Sequence, residues 1–259
     1  MTAATTEAMP PVAWQRLVRE RRRAEDSDAD LFGRWWESID LDIARTTIRE
    51  VDYATAKSVI VNYEWLGNMP AGVLHCYGLY FDGHCGGVVV YANETAENLG
   101  VYDAYGYSGK IIRVARGACV HWAHPHSATR LIRGSMRMLP AKYEVVTASV
   151  DRRAGEIGTI YQACGFHYVG VMSYRTPHRG AILNGRKLSS RTFTQYRQKL
   201  QVSAQESVRF GYSLSDEPRK ERYFAFRGSK RAKRTHLAAI QHLVKPYPKR
   251  AASGLERLP

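Results

Sequence analysis

Acidic residues run short toward the end of this chain. Of the 24 Asp and Glu in 259 residues only 5 lie beyond Arg175, whereas 19 of the 38 Lys and Arg lie there. Before that point acids and bases balance at 19 each, so the whole formal charge of +14 belongs to the last 84 residues. An evenly spread excess would speak only to solubility; one concentrated like this creates a local field for a polyanion, and nucleic acid is the first partner to consider. Long apolar runs are missing too. Nothing approaches the roughly 18 consecutive apolar residues of a membrane helix. The opening MTAATTEAMPPVAWQRL lacks the basic-then-apolar order of a secretion signal, so a soluble cytoplasmic protein with no membrane partner is expected. Cysteine is sparse: Cys76, Cys85, Cys119 and Cys164 stand far apart in apolar surroundings, which excludes a disulfide framework and a CxxC zinc pattern. Neither an internal repeat nor a helix-turn-helix or zinc-finger spacing occurs in the sequence.

What is present suffices for a core. Hydrophobic residues make up 44% of the chain, which excludes a disordered or fibrous protein. Residues 1–12 read as a lead, followed by an amphipathic helix from Ala13 to Ala24 and an acidic run to Asp30. Ile43 to Val51 has the β-branched enrichment of a strand, and Tyr53 to Leu66 carries apolar residues at helical spacing until Gly67 and Pro70 end it. Two strand-like runs, 73–81 and 86–92, meet at Asp82-Gly83, a pair suited to the positive φ angles of a hairpin turn. Residues 110–123 restore a strand, Ser127 is placed to cap a helix reaching about Met138, and YEVVTASV (143–150) is a buried strand that delivers Asp151 at its end. A helix from Glu156 to Ala163 stops at Cys164-Gly165 before a strand at 166–174. This order describes an α/β fold, a mixed sheet with helices on its faces. Beyond Arg175 the pattern loosens, apart from a strand at RYFAF (222–226) and a helix at about His236–Val244. The expected division is a lead and helix (1–40), a core (41–175) and a basic extension (176–259).

The extension interleaves aromatics with its cations in RTFTQYRQK (191–199) and RKERYFAFRGSKRAKR (219–234), a recurring way to hold unstacked bases beside their phosphates. Arg186, Lys187 and Arg191, with Arg197 and Lys199, are candidates to grip phosphates and position a duplex without reading its sequence. The Lys230–Arg234 cluster does the same or remains solvated.

The element order, with GTIYQACGFHYVG (158–170), resembles the GNAT acyltransferase fold, whose last helix and strand often carry Y-x-x-x-G-F, here Tyr161, Gly165 and Phe166. Further motifs narrow the likeness: NYEWLGNMP (62–70), HSATRLI (126–132), D-x-x-x-G-x-x-G-x-x-Y-Q-A from Asp151 to Ala163, LNGRKLSSR (183–191), and the terminal RYFAF and PYPKR. That set is similar to the Mom DNA-modification proteins of bacteriophages, from about Ile43 to Arg250. The resemblance implies a GNAT-like mixed sheet with a basic C-terminal extension. It also implies an enzyme of the host-cell cytoplasm that places a methylcarbamoyl group on the exocyclic N6 amine of adenine in double-stranded DNA, shielding phage DNA from restriction. The family's functional positions fall on Asn62-Tyr63, Asp151 and Tyr161; where the family often has His before the first tyrosine, this chain has Asn62. Acetyl-CoA or a related acyl-CoA donor is implied by the fold. The Gly-rich Q/R-x-x-G-x-G/A loop that usually holds its pyrophosphate is replaced by His124-Pro125-His126-Ser127-Ala128-Thr129-Arg130, leaving Ser127, Ala128, Thr129 and Arg130 as the candidate donor site.

An exocyclic adenine amine is a poor nucleophile because its lone pair is delocalised, so a proton must leave or be shared as the new bond forms. Asp151, ending a strand where open α/β sheets collect ligands, is the candidate base, or else it caps the next segment. Tyr161 is the candidate proton donor to a departing thiolate or holder of the donor's carbonyl; its alternative is a core tyrosine with a satisfied hydroxyl. Tyr63 is the candidate to stack on an everted adenine, with Asn62 and Trp65 beside it, although ordinary packing under the loop suits Trp65 well. Glu64 is a second carboxylate near the base whose orientation the sequence does not fix. The product's extra nitrogen calls for chemistry beyond acetyl transfer, and a redox metal such as iron is one route. His75, Cys76, His84, Cys85, His121, His124 and His126 are ligand types for it, but neighbours along a strand face opposite ways, so at most one of each His-Cys pair serves a common centre. Structural roles are the other explanation for most of them. Two further functions compete: an acyltransferase acting on a protein amine or small molecule, and a non-enzymatic nucleic-acid-binding protein.

Overall fold

The computed structural model describes residues 13–29, 35–95, 102–151, 154–171, 179–183, 186–189, 211–213 and 220–249. They form two compact bodies, Met1–Gly170 with Lys220–Pro259, and Val171–Arg219. In the larger body helix α1 (Trp14–Ala29) and a 3-10 turn (Trp35–Ser38) precede β1 (Thr47–Glu50), α2 (Tyr53–Tyr63), β2 (Val73–Phe81), β3 (His84–Ala92), β4 (Ile111–Cys119), α3 (Ser127–Met138), β5 (Val145–Asp151), α4 (Thr159–Ala163) and β6 (His167–Val171). In the smaller body β7 (Arg179–Leu183), β8 (Arg186–Ser189) and β9 (Gly211–Ser213) form an antiparallel sheet of order β8-β7-β9. The chain then returns to the larger body as β10 (Lys220–Phe226) and α5 (Lys230–Ile240).

The main sheet has seven strands in the order β1-β2-β3-β4-β5-β10-β6. It is mixed, since β4 and β5 run parallel while β1/β2, β2/β3, β3/β4 and β5/β10 are antiparallel. The β2–β3 hairpin turns at Asp82 (φ 43°) and Gly83 (φ 85°), the two positive angles the dipeptide favours. RYFAF, read as part of an extension, lies between β5 and β6, and its partners run from Lys220↔Asp151 to Phe226↔Val145. Six of the seven β5 residues from Val145 to Val150 are apolar or small, and a strand buried on both faces needs a hydrogen-bonded neighbour along each edge. Periodicity marks 222–226 as a strand but says nothing about which edge it closes.

Register assigns the faces. Ile48, Leu79, Tyr77, Tyr91, Val114, Ala148 and Tyr223 are linked across the strands on one face. Helix α3 packs there: the Tyr91 and Ser135 hydroxyls lie 2.8 Å apart in the core, and a Cβ on Gly134 would come within 2.1 Å of Ile48 Cδ1. The other face carries Val90, Arg116, Arg113, Thr147 and Phe224. Helix α2, capped by the Asp52 carboxylate accepting from Thr55 N–H, buries Ala56, Val59 and Ile60. Helix α5 starts at Lys230 rather than His236 because Ser229 caps it, its hydroxyl accepting from Ala232 N–H, and Ile240 packs with Phe224 and Phe226. At α3 the expected cap is displaced by one residue. His126 is the N-cap, without a side-chain hydrogen bond, and Ser127 is the first residue of the helix.

Candidate active site

The parallel strands β4 and β5 stay paired only from Ile111–Val114 to Val145–Ala148. On its other edge β4 carries an irregularity: Val114 faces Tyr91 and Arg116 faces Val90, so Ala115 is an extra residue. A bulge of this kind bends its strand. Beyond it β4 follows β3 as far as Cys119, while Ser149 and Asp151 follow β10. The sheet therefore opens as a wedge at the carboxyl ends of two parallel strands, where open α/β sheets take their ligands and where the two faces meet.

Tyr161 approaches from the α3 face. Its ring packs 5.8 Å from that of Tyr223 and 5.3 Å from Phe166, and burial, followed by the Glu156 charge, pushes its hydroxyl above the usual phenol range. It is protonated at neutral pH. The turn before it is tight: Gly158 has φ 68°, and the Tyr223 hydroxyl donates to Ile157 O at 2.6 Å.

Glu64 and Arg116 stand on the opposite face. The Glu64 side chain is 7% exposed, and its Oε2 accepts from Leu66 N–H at 2.8 Å and Gly67 N–H at 3.1 Å. Arg116 Nε lies 3.9 Å from that oxygen, donates to Asn68 O at 3.0 Å, and Nη2 donates to Asn68 Oδ1 at 3.0 Å. Burial raises the Glu64 carboxyl above its ordinary value, with Arg116 and the two backbone N–H groups pulling the other way. Burial lowers the Arg116 guanidinium, opposed by Glu64 and, more weakly, by Tyr161. Charge on Glu64 is also the last of the influences that raise Tyr161.

Asp151 ends β5 opposite Lys220. Strand alternation puts it on the face of Thr147 and Arg116, not the face on which Tyr161 meets Tyr223. Asp151 and Tyr161, two of the three expected catalytic side chains with Tyr63, thus flank the wedge from opposite faces of the sheet. Tyr63 ends α2, its ring stacked on His121 at 6.2 Å and 28°. His121 is 1% exposed, with Nδ1 3.3 Å from Asp26 Oδ2, and burial lowers its pKa. Trp65 meets the edge of Trp14 at 5.1 Å. Asn62 is engaged at both ends of its amide, Nδ2 donating to Ser58 O and Oδ1 accepting from Arg22 Nη2.

Helix α1, which carries no chemistry legible in its sequence, straps this region down. Gln15 donates to Tyr63 O and accepts from Trp65 N–H, Arg19 Nη2 donates to Val120 O, His121 O and Ala123 O, and Arg23 Nη2 donates to His121 O. At the candidate donor site Ser127 Oγ is buried without a hydrogen-bond partner among the described residues, Ala128 and Thr129 are half-buried in the first turn of α3, and Arg130 is exposed with Nε 3.4 Å from Thr46 Oγ1. Arg186 and Lys187 are neighbours on β8 in the smaller body, and Arg191 lies outside the described residues. The exposed Lys230, Arg231, Lys233 and Arg234 belong to α5, which packs on Phe226 beside Val145, the end of β5 away from Asp151. Among the described residues no three His, Cys, Asp or Glu are grouped as a metal ion would need, and no helix is long and apolar enough to cross a membrane.

Sequence reasoning missed Arg116 and the role of His121. The bulge that turns Arg116 into the wedge has no signature in RVARGACV, and the contact of His121 with Tyr63 depends on how the β4–α3 loop folds back.

Among solved structures the chain is loosely similar to an IAA acetyltransferase from Bacillus cereus (12% identity, TM-score 0.37, covering 69% of this chain and 97% of that one). A Bacillus subtilis acetyltransferase in complex with CoA is alike to a similar degree (9%, 0.36, 71% and 99%), as is a GNAT family acetyltransferase from Elizabethkingia anophelis with acetyl-CoA bound (12%, 0.36, 56% and 92%). No curated protein matches the chain. The sequence pattern of the Mom protein family matches residues 45–249, from just before β1 through the last residues after α5, and the chain belongs to that family.

Proposed function

We propose that the chain is a phage-type DNA-modifying transferase that adds a methylcarbamoyl group to N6 of adenine in double-stranded DNA and so protects that DNA from restriction. In a member of the Mom family, the observation that carries this reading is the wedge, with carboxylates on one side of the sheet and a phenol on the other. Adenine enters on the face of Glu64, Arg116 and Asp151, its amine directed through the gap. Asp151 takes or shares the amine proton, and Tyr161, kept protonated by burial, donates to the leaving atom.

The donor belongs on the α3 face. An acyl-CoA supplies, when bound, an activated carbonyl carbon with a thiolate leaving group. The residues present fit its anionic part: Ser127 Oγ is a buried hydroxyl with no partner among the described residues, at the N-terminus of a 12-residue helix whose N-cap makes no side-chain hydrogen bond. Thr129 and Arg130 extend that site. Arg186, Lys187 and Arg191 grip the backbone of the duplex from the region richest in unopposed cations. Tyr63 and Trp65 support the everted base, Tyr63 from its stack on His121.

The test is the mass of nucleosides from DNA of cells expressing the chain. A deoxyadenosine heavier by one methylcarbamoyl group is expected, falling at least about 100-fold in Asp151→Asn and Tyr161→Phe. Unmodified DNA together with turnover of an acyl-CoA by the purified protein would refute this in favour of an acyltransferase with another acceptor. Unmodified DNA with tight, salt-sensitive duplex binding and no turnover would leave a nucleic-acid-binding protein.

A further inference from the structure

Glu64 is a carboxylate that folding has paid to bury. Its Oε2 is held by two backbone N–H groups and faces Arg116, yet Oε1 has no hydrogen-bond partner among the described residues. Oε2 is anchored, while Oε1 is not enclosed and stays open to solvent beside the stretch of β4 that has parted from β5. The guanidinium next to it is held by Asn68 and by Ala115 O, accepting 2.8 Å from Nη1, so donor and acceptor are fixed side by side. The adenine edge offers an N–H donor at N6 beside ring-nitrogen acceptors, a pattern read by one acceptor and one donor at neighbouring positions.

We propose that Glu64 is a further catalytic residue: its Oε1 accepts the N6–H of the everted adenine and takes that proton as N6 attacks, while Arg116 donates to the adjacent ring nitrogen. The inference rests on the transferase reading above and assigns the base within it. In the step, the N6–carbon bond forms at the carbonyl of a methylcarbamoyl thioester, whose carbonyl already carries the methylamino nitrogen of the product, the carbon–sulfur bond breaks, the N6 proton passes to Glu64, and the departing sulfur takes the Tyr161 hydroxyl proton. Asp151, on the same face, then shares the amine proton through a hydrogen bond while Glu64 removes it. Burial of Glu64 suits it to proton abstraction, because a carboxyl raised above its ordinary value is a stronger base.

The experiment compares wild type, Glu64→Gln and Asp151→Asn by nucleoside mass and by the pH dependence of modification of an adenine-containing duplex, with thermal melting alongside. Glu64→Gln is expected to melt no lower than wild type, since it removes a buried charge while keeping an acceptor for Leu66 and Gly67. It should lose at least about 100-fold in modification, and the residual activity should lack the acid limb of the wild-type profile. Asp151→Asn should keep that limb. Full modification by Glu64→Gln, or an acid limb that vanishes only in Asp151→Asn, overturns the proposal while the transferase reading stands. Wild type that leaves adenine unmodified overturns both. Should Glu64→Gln fail to fold, Glu64→Asp carries the test: withdrawing Oε1 by one methylene should cost at least about tenfold, and undiminished activity there also overturns the proposal.

Discussion

Replacing Gly158 by alanine probes the joint that aims Tyr161 at the wedge. Gly158 sits at φ 68°, and a Cβ built there would lie 2.4 Å from Tyr223 Cζ, 2.6 Å from Cε2 and 2.7 Å from the hydroxyl oxygen. The ring cannot simply swing aside, because Tyr223 is fully buried and its hydroxyl donates to Ile157 O. Left-handed backbone costs an alanine about 1–2 kcal/mol. Forcing an extra carbon into a packed site costs about 1–3 kcal/mol more, giving a total of about 3 kcal/mol. Gly165 supplies the internal control, since it has φ 79° but an added Cβ would meet nothing within 4 Å, so its alanine variant should lose only the backbone part, about 1 kcal/mol. Urea unfolding of the two variants measures the difference, about 2 kcal/mol, and Gly158→Ala should also lose activity because Tyr161 lies on the helix that Gly158 begins. Equal destabilisation of the two variants would refute the contact between the turn and the Tyr223 ring.

Two further outcomes follow from buried groups elsewhere. The Glu94 side chain is fully buried, accepts from the Thr147 hydroxyl and lies 3.5 Å from Arg113 Nε, so Thr147→Val should destabilise by about 2 kcal/mol in chemical denaturation while Thr147→Ser restores most of it. An unchanged midpoint in Thr147→Val would dispose of that account. Burial lowers the His121 pKa, with the Asp26 charge opposing and Arg23 and Arg19 reinforcing it. The unfolded chain therefore binds more protons than the native one as pH falls. Stability from this group is complete above the ordinary histidine value of about 6.5 and is lost as pH drops through the lowered native value. His121→Phe should flatten the stability profile below the ordinary histidine value of about 6.5, as followed by thermal melting, and a profile as steep as wild type would count against it.

Legibility varied with the range of the interaction. The Asp82-Gly83 turn, the strand delivering Asp151 and the helix carrying Tyr161 are local features, written in turn chemistry and apolar runs, and they stand where the sequence put them to within a few residues. The wedge was not readable, because it depends on Ala115 being left over when β4 is laid against β3, a matter of register between strands. Ser127 matched a cap by residue type, yet the chain enters α3 one residue earlier and leaves its hydroxyl buried and unpartnered. Glu64 was visible only as a residue type; what fixes it is the turn at Leu66-Gly67 folding back on its own carboxylate. The amphipathic pattern of α1 announced a helix without disclosing that five of its polar side chains, Gln15, Arg19, Arg22, Arg23 and Asp26, reach the backbone or side chains around Tyr63 and His121.

The position of β10 between β5 and β6 has a consequence for biosynthesis. A nascent chain that has left the ribosome only as far as β6 holds β5 with one long edge bare, and 48 residues, Met172 to Arg219, must still emerge before the missing strand arrives. Bare hydrophobic edges invite pairing with other chains. Trimming the protein back to its first 175 residues to obtain a smaller catalytic unit would make that transient state permanent, and the product should collect in inclusion bodies.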